Sequence, residues 1–266
     1  MTGLVIAAAL AAATVQEIKC DGVYPWHLQG VASDGASVYW TFTTVLVKTD
    51  LAGKVQAKHE IEKGHMGDLC FKDGKVYVGM NMGVAGGCRV GDEVWEHDAA
   101  DLRLLARHPT PEAVWCNNGV EFYSGSFWVI TSAPHLSQYN MVLRYSPDFK
   151  FMRAQLIDSG WTNLGVQTIC LYGDKMLFGC YGDMNDPVKP HPSCTLVVDG
   201  PALASQRRSA EFPAVVKCEN RAKVSTAEGM VVIGGRLYRA QGIRLSPPTE
   251  KRNQRWTAKL VPADIP

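Results

Sequence analysis

Residues 67–78 read Gly67-Asp68-Leu69-Cys70-Phe71-Lys72-Asp73-Gly74-Lys75-Val76-Tyr77-Val78. Two apolar runs flank an Asp-Gly dipeptide. A two-residue hairpin turn needs positive φ at its centre, which Asp-Gly tolerates, so the stretch predicts two antiparallel strands. The pattern returns around Asp34-Gly35, Ser124-Gly125, Gly173-Asp174 and Gly234-Gly235. A weaker hairpin follows most copies, at 45–58, 94–106, 142–154 and from 195 toward Ala210-Glu211-Phe212. The first pair in each unit is nearly continuously apolar and the second alternates. That is the expected contrast between strands buried on both faces and strands with one face in water.

Five four-stranded units at blade-sized intervals resemble a five-bladed β-propeller. The expected fold is therefore all-β: one propeller over residues 14–266. Residues 14–20 read like an outermost strand but precede the first inner strand. They are expected to complete the last blade beside residues 256–261, which closes the ring and protects its edges. The Gly-His and Trp-Asp signals of WD repeats and the Asp boxes of sialidases do not occur. Five-bladed propellers include arabinanase-like and fructosidase-like glycosidases, a sugar-binding lectin and a calcium-dependent nucleotidase. The resemblance to the glycosidases implies acidic residues at the inner-strand ends round the axis; the matching positions here are mixed polar.

A formal net charge of +1 gives no electrostatic reason for a nucleic-acid or acidic-membrane partner. Residues 1–13 contain an apolar run ending in small residues, which predicts a secretory signal and an extracellular or periplasmic location. No Lys or Arg precedes the run, and a buried N-terminal helix is the competing reading. The eight cysteines fit an oxidising compartment without requiring one. Cys180 and Cys194 are placed to face each other across a long hairpin loop. A regular hairpin turning at Gly173-Asp174 sets Gln167 opposite Cys180, on the face away from Cys170, so Cys170 and Cys180 are poor partners.

Loops entering each inner strand converge on one face of a propeller, where a funnel opens over the axis. In this chain they are polar and aromatic. They bring Trp26 and His27, then His65 and Asp68, then Asn117, Asn118 and Glu121, then Asn163 and Gln167, and finally Glu228. Trp115 and Trp161 lie in two of the same loops. Asn118, Gln167 and Glu228 fall six residues before their turns, so they are expected in one axial ring, as site groups or as polar channel filling. Long second loops at 80–92, 132–140, 181–193 and 241–255 add His135, His191 and an Asp183-Met184-Asn185-Asp186 cluster. That cluster lacks the spacing of an EF-hand and reads as a surface turn. His27 and His65, with Glu121 or Gln167, are candidates for a divalent metal over the axis.

Two function classes follow. One is a secreted enzyme acting on a carbohydrate or similar polar small molecule by hydrolysis or elimination, with Glu121, Glu228, His65 and Asp68 as candidate catalytic groups. Trp26, His27, Asn117, Asn118, Asn163, Gln167, His135 and His191 are then its binding groups. The other is a non-catalytic propeller that holds a glycan or a protein in the same funnel. Walker, dinucleotide-binding, His-Glu-x-x-His and Gly-x-Ser-x-Gly motifs do not occur.

Overall fold

The computed structural model describes residues 17–83, 91–134, 137–205 and 215–265. The expected signal segment and His135 lie outside them. Strand β1 spans Ile18–Pro25. Blade I is β2 (Leu28–Ser33), β3 (Ser37–Phe42), β4 (Val45–Asp50) and β5 (Val55–Glu60); blade II is β6 (His65–Lys72), β7 (Lys75–Asn81), β8 (Glu93–Asp98) and β9 (Leu104–Pro109). Blade III begins with β10 (Asn117–Tyr123), β11 (Ser126–Thr131), β12 (Tyr139–Tyr145) and β13 (Phe151–Asp158). Blade IV contains β14 (Asn163–Tyr172), β15 (Lys175–Tyr181) and β16 (Cys194–Asp199), followed by the short helix α1 (Gly200–Ser205). Then come β17 (Val215–Lys217), β18 (Asn220–Ala222), β19 (Met230–Ile233), β20 (Arg236–Arg244) and β21 (Arg255–Pro262). The chain is a five-bladed β-propeller.

Blade V has the order β1-β21-β20-β19, with Ile18 opposite Leu260 and Tyr24 opposite Trp256. The first strand thus closes the ring from outside the last sheet. At the inner turns the backbone does what the dipeptides require: φ is 49° at Asp73 and 75° at Gly74. Five apolar clusters hold the wheel together, one at each blade boundary. The largest joins blades V and I around Tyr24, Trp40, Phe42 and Tyr238. Each seam is a sheet-on-sheet contact of inward-facing side chains, and burial of their apolar surface supplies the main stabilisation.

Blade IV departs from the expected pattern. Its outermost strand is β18, paired with β16 through Leu196 and Arg221; the segment around Ala210 expected there lies outside the described residues. Strand β17 instead adds to blade III in parallel, pairing Leu156 with Val215. The interval between β16 and β18 exceeds a hairpin, and the chain uses it to cover the outer edge of the neighbouring sheet. The Asp199 carboxylate caps α1 by accepting from Ala202 N at 2.6 Å.

Candidate functional site

The inner hairpins are not regular ladders. Register shifts occur between Leu28 and Gly30, between Met66 and Leu69, between Asn117 and Gly119, and twice between Asn163 and Thr168. The residues left without a cross-strand partner include Gln29, Asp68, Asn118 and Gln167. A bulge inserts a residue that the opposite strand does not match and re-aims its side chain. Of the ring read from sequence, Asn118 and Gln167 are bulge residues, whereas Glu228 precedes β19, which pairs without a register shift. One sequence inference fails for the same reason: Val166, not Gln167, stands opposite Cys180.

Asp68 divides the channel. It is fully buried; one carboxylate oxygen accepts from Val31 N at 3.2 Å and the other from Ile169 N at 2.7 Å. It thereby ties blade II to blades I and IV across the axis. The approach is close enough that a Cβ on Gly119 would lie 2.6 Å from Asp68 Cβ. Burial pushes its carboxyl well above the usual range, against the backbone N–H donors that favour the anion.

On the inter-blade side of this plug the rim carries one continuous arc of side chains. The Gln29 amide nitrogen lies 3.0 Å from His27 Nε2 and 3.1 Å from His65 Nε2. His27 Nδ1 lies 3.1 Å from Leu28 O. The same Gln29 nitrogen lies 3.1 Å from His27 Nδ1 and donates to Thr43 Oγ1 at 3.3 Å, so it spans both His27 ring nitrogens, and His65 Nε2 accepts from it. Burial lowers both imidazoles, with His65 brought to about 4, so both are neutral near pH 7. Trp256 packs beside His27 with ring centroids 6.0 Å apart. Behind it, Glu228 accepts from Gly242 N at 2.8 Å, and a Cβ on Gly242 would lie 3.0 Å from Glu228 Oε1 and 3.4 Å from the Trp256 ring. Burial raises the Glu228 carboxyl, and the Arg239 charge opposes it. Tyr181, held neutral by burial, feels the Glu228 charge from blade IV. His27, His65, Tyr181, Glu228 and Trp256 are all half-buried, and Trp26 is exposed beside them.

Glu121 lies elsewhere. It is three residues before its turn, whereas His65 is eight before, a difference of roughly 15 Å along the strand. It lines a cavity of about 190 Å³ near the turn side, with Cys70, Cys170 and Val231. Its carboxylate accepts from Phe122 N at 2.8 Å and from Leu171 N, and burial pushes it up to about 7. Neither Glu228 nor the two histidines is joined to it. Among the described residues, no group of three or more His, Cys, Asp or Glu side chains is arranged to hold a metal.

The remaining candidates separate in the same way. Asn117 is fully buried and spends its amide on Glu93 O, Thr110 Oγ1 and Gly119 N, a structural use that leaves nothing for a ligand. Asn118 donates to Val166 O and Ser132 Oγ, linking blades III and IV. Gln167 donates to Leu164 O and Gly165 O within its own bulge. Asn163 stands opposite Tyr181 at the strand entrance. His191 is buried in the loop between β15 and β16, its Nδ1 at 2.7 Å from Lys189 O. The Asp183 and Asp186 carboxylates accept backbone N–H groups of their own turn. Gln29, Tyr181 and Trp256 complete the arc but were not picked out by sequence, because no motif marks a bulge residue or two distant strand ends.

No family model matches the chain, and no curated protein matches it. Solved propellers share its fold. The GH43B protein of the Bacteroides ovatus xyloglucan PUL is 11% identical, with a TM-score of 0.60 over 94% of this chain and 55% of that one. The GH43_1 enzyme from Xanthomonas citri, complexed with xylose, is 11% identical, with a TM-score of 0.55 over 90% and 89%. Myxococcus xanthus glutaminyl cyclase is 11% identical, with a TM-score of 0.51 over 94% and 99%. At such identities the likeness is one of fold. No helix among the described residues is long and apolar enough to cross a membrane.

Proposed function

We propose that this propeller is an acid–base enzyme acting on a carbohydrate or similar polyol in the inter-blade funnel, by hydrolysis or elimination. The observation that carries the reading is the rim arc: Glu228, a carboxyl raised by burial, is linked through Gly242 and Trp256 to two neutral imidazoles, His27 and His65. A carboxyl and imidazoles all shifted by burial and held close together make a candidate acid–base site. Glu228 moves the proton. His65, whose Nε2 accepts from Gln29, offers its Nδ1–H to the substrate oxygen that gains charge. Trp26 and Trp256 present faces for a sugar ring. A paired-carboxylate hydrolysis needs a second acid on this arc; elimination needs one proton-transfer group and one electrophile, and the arc has both. The xylose bound to the X. citri enzyme supports a sugar-sized ligand for a wheel of this kind. The apolar residues near the start support an extracellular or periplasmic setting.

The test is turnover of a panel of neutral and uronic-acid oligosaccharides. Elimination appears as an unsaturated product that absorbs in the ultraviolet, and hydrolysis as new reducing ends alone. Glu228→Gln is expected to lower kcat by about 10²–10⁴-fold. Turnover that survives this change at full rate removes Glu228 from the chemistry. A second reading, a glycan-binding propeller without turnover, is favoured by the Gln29 amide already engaging ring nitrogens of both histidines. It predicts calorimetric binding that Glu228→Gln leaves intact and no product from any sugar.

A further inference from the structure

Blade IV gives Tyr181 to the funnel arc, but its sulfur groups lie away from it. Cys180 is the last residue but one of β15 and Cys194 begins β16, and the two are directly opposed in the antiparallel register. Opposed residues of such a pair have Cα atoms about 4.5–5.5 Å apart, inside the range of about 4.4–6.8 Å that disulfides span. Both thiols are free and the two sulfurs are close enough to interact, while the Cys180 thiol donates to Phe178 O at 3.9 Å.

The second half of the arrangement is a cation. Arg221, on β18, donates from Nη2 to Cys194 Sγ at 3.4 Å. The same guanidinium is anchored on Ser159 O and Trp161 O, so it is held between blades III and IV. His191 approaches Cys194 from the loop, and its buried Nε2 has no hydrogen-bond partner. Cys218, the third sulfur nearby, donates to Asn220 O at 2.9 Å. These are the titratable and charged groups that face Cys194 from β15, β18 and the loop. The Cys180 thiol beside it and then the Arg221 charge lower the Cys194 thiol to about 6, while burial keeps Cys180 well above its ordinary value. Cys194 is 4% exposed and Cys180 is sealed, so a small reagent meets Cys194 first.

We propose that Cys194 is a reactive thiolate and Cys180 its resolving partner, forming a reversible disulfide site that reacts with hydroperoxides. The Cys194 sulfur attacks the terminal peroxide oxygen; an S–O bond forms, the O–O bond breaks, and the departing oxygen takes a proton and leaves as water from hydrogen peroxide or as an alcohol from an organic hydroperoxide. Cys180 then loses its proton and attacks the sulfenic sulfur; the S–S bond forms and the S–O bond breaks, releasing water. Sulfur is oxidised by two electrons and peroxide is reduced by two. The bond ties together the two ends of loop 182–193, which starts at Tyr181 of the funnel arc.

The experiment treats the folded, reduced chain with hydrogen peroxide and maps its cysteines by mass spectrometry, with iodoacetamide labelling across pH in parallel. The expected product is one Cys180–Cys194 disulfide, restored by dithiothreitol. Cys180→Ser is expected to divert Cys194 to sulfinic acid, and Cys194→Ser to abolish the reaction. Labelling of Cys194 at pH 7 should exceed that of Cys70 or Cys170 by at least on the order of tenfold. Arg221→Gln should move the labelling inflection upward. A wild-type protein whose Cys194 labels only after denaturation overturns the proposal, as does a disulfide from Cys194 to Cys218.

Discussion

The two sides of the Asp68 plug hold one acidic side chain each, and the same cause acts on both. Burial raises Glu228 on the inter-blade side and Glu121 on the turn side. Their neighbours differ. Glu228 sits on a rim with indole, imidazole and phenol groups at half exposure. Glu121 faces backbone, thiols and aliphatic side chains in a cavity of about 190 Å³. A raised carboxyl is therefore not by itself a catalytic signature; what surrounds it decides whether the shift is spent on a substrate or on the fold.

The largest effect should come from removing the plug. Asp68→Ala leaves Val31 N and Ile169 N buried without their acceptor and opens a void on the axis. The expected loss is about 3–5 kcal/mol of unfolding free energy by denaturant titration. Asp68→Asn retains one acceptor oxygen and turns an NH₂ group toward a donor, for a loss of about 1–3 kcal/mol. If Asp68→Ala is as stable as the parent chain, the two ends are not separated by this side chain in any energetic sense.

Glu121 gives the next effect, and its sign is set by the direction of the shift. Its folded value is about 7, above the ordinary carboxyl value. Its contribution to stability is fully present below the unfolded pKa of about 4.5 and is lost as pH rises through about 7. Glu121→Gln should flatten that part of the stability–pH curve and stabilise the chain at pH 8 by about 1–3 kcal/mol, discounted for the cavity it faces. Glu228→Gln should change stability in the same sense but less, because it stays half-exposed, while removing turnover. A Glu121 variant that loses turnover at unchanged stability would reverse the roles of the two ends.

The wheel was legible because its determinants are local. Asp-Gly and Gly-Gly turns, apolar inner runs and a displaced first strand each act over a few residues, and their repetition multiplies the signal. The fourth blade was legible only in part, since the pairing of β17 with blade III depends on a long connection that has no local pattern. The site was half legible. His27, His65 and Glu228 lie at strand entrances, where position relative to the turn marks them as funnel groups. Gln29 was hidden because its role comes from a register shift, and Trp256 because it reaches His27 from the far end of the chain. Asn117 and Asn118 are adjacent and chemically identical in sequence; only the bulge decides that one is entombed and the other faces the neighbouring blade.

The smallest effect concerns the rim aromatics. Trp26 is 38% exposed at φ 64°, with its backbone N donating to Gln254 O at 3.3 Å. The fold has already set its backbone, so its indole contributes little to packing. Trp26→Ala should cost less than about 1 kcal/mol of stability, the range for surface changes away from the core. If the funnel holds a sugar, the same change should weaken binding of an active oligosaccharide by about 0.5–1.5 kcal/mol, the value of a stacking contact beyond its area. Calorimetry on the parent and variant chains separates the two terms. Equal affinities would confine recognition to the His27–Gln29–His65 segment and Glu228, and would remove the exposed indole from the site.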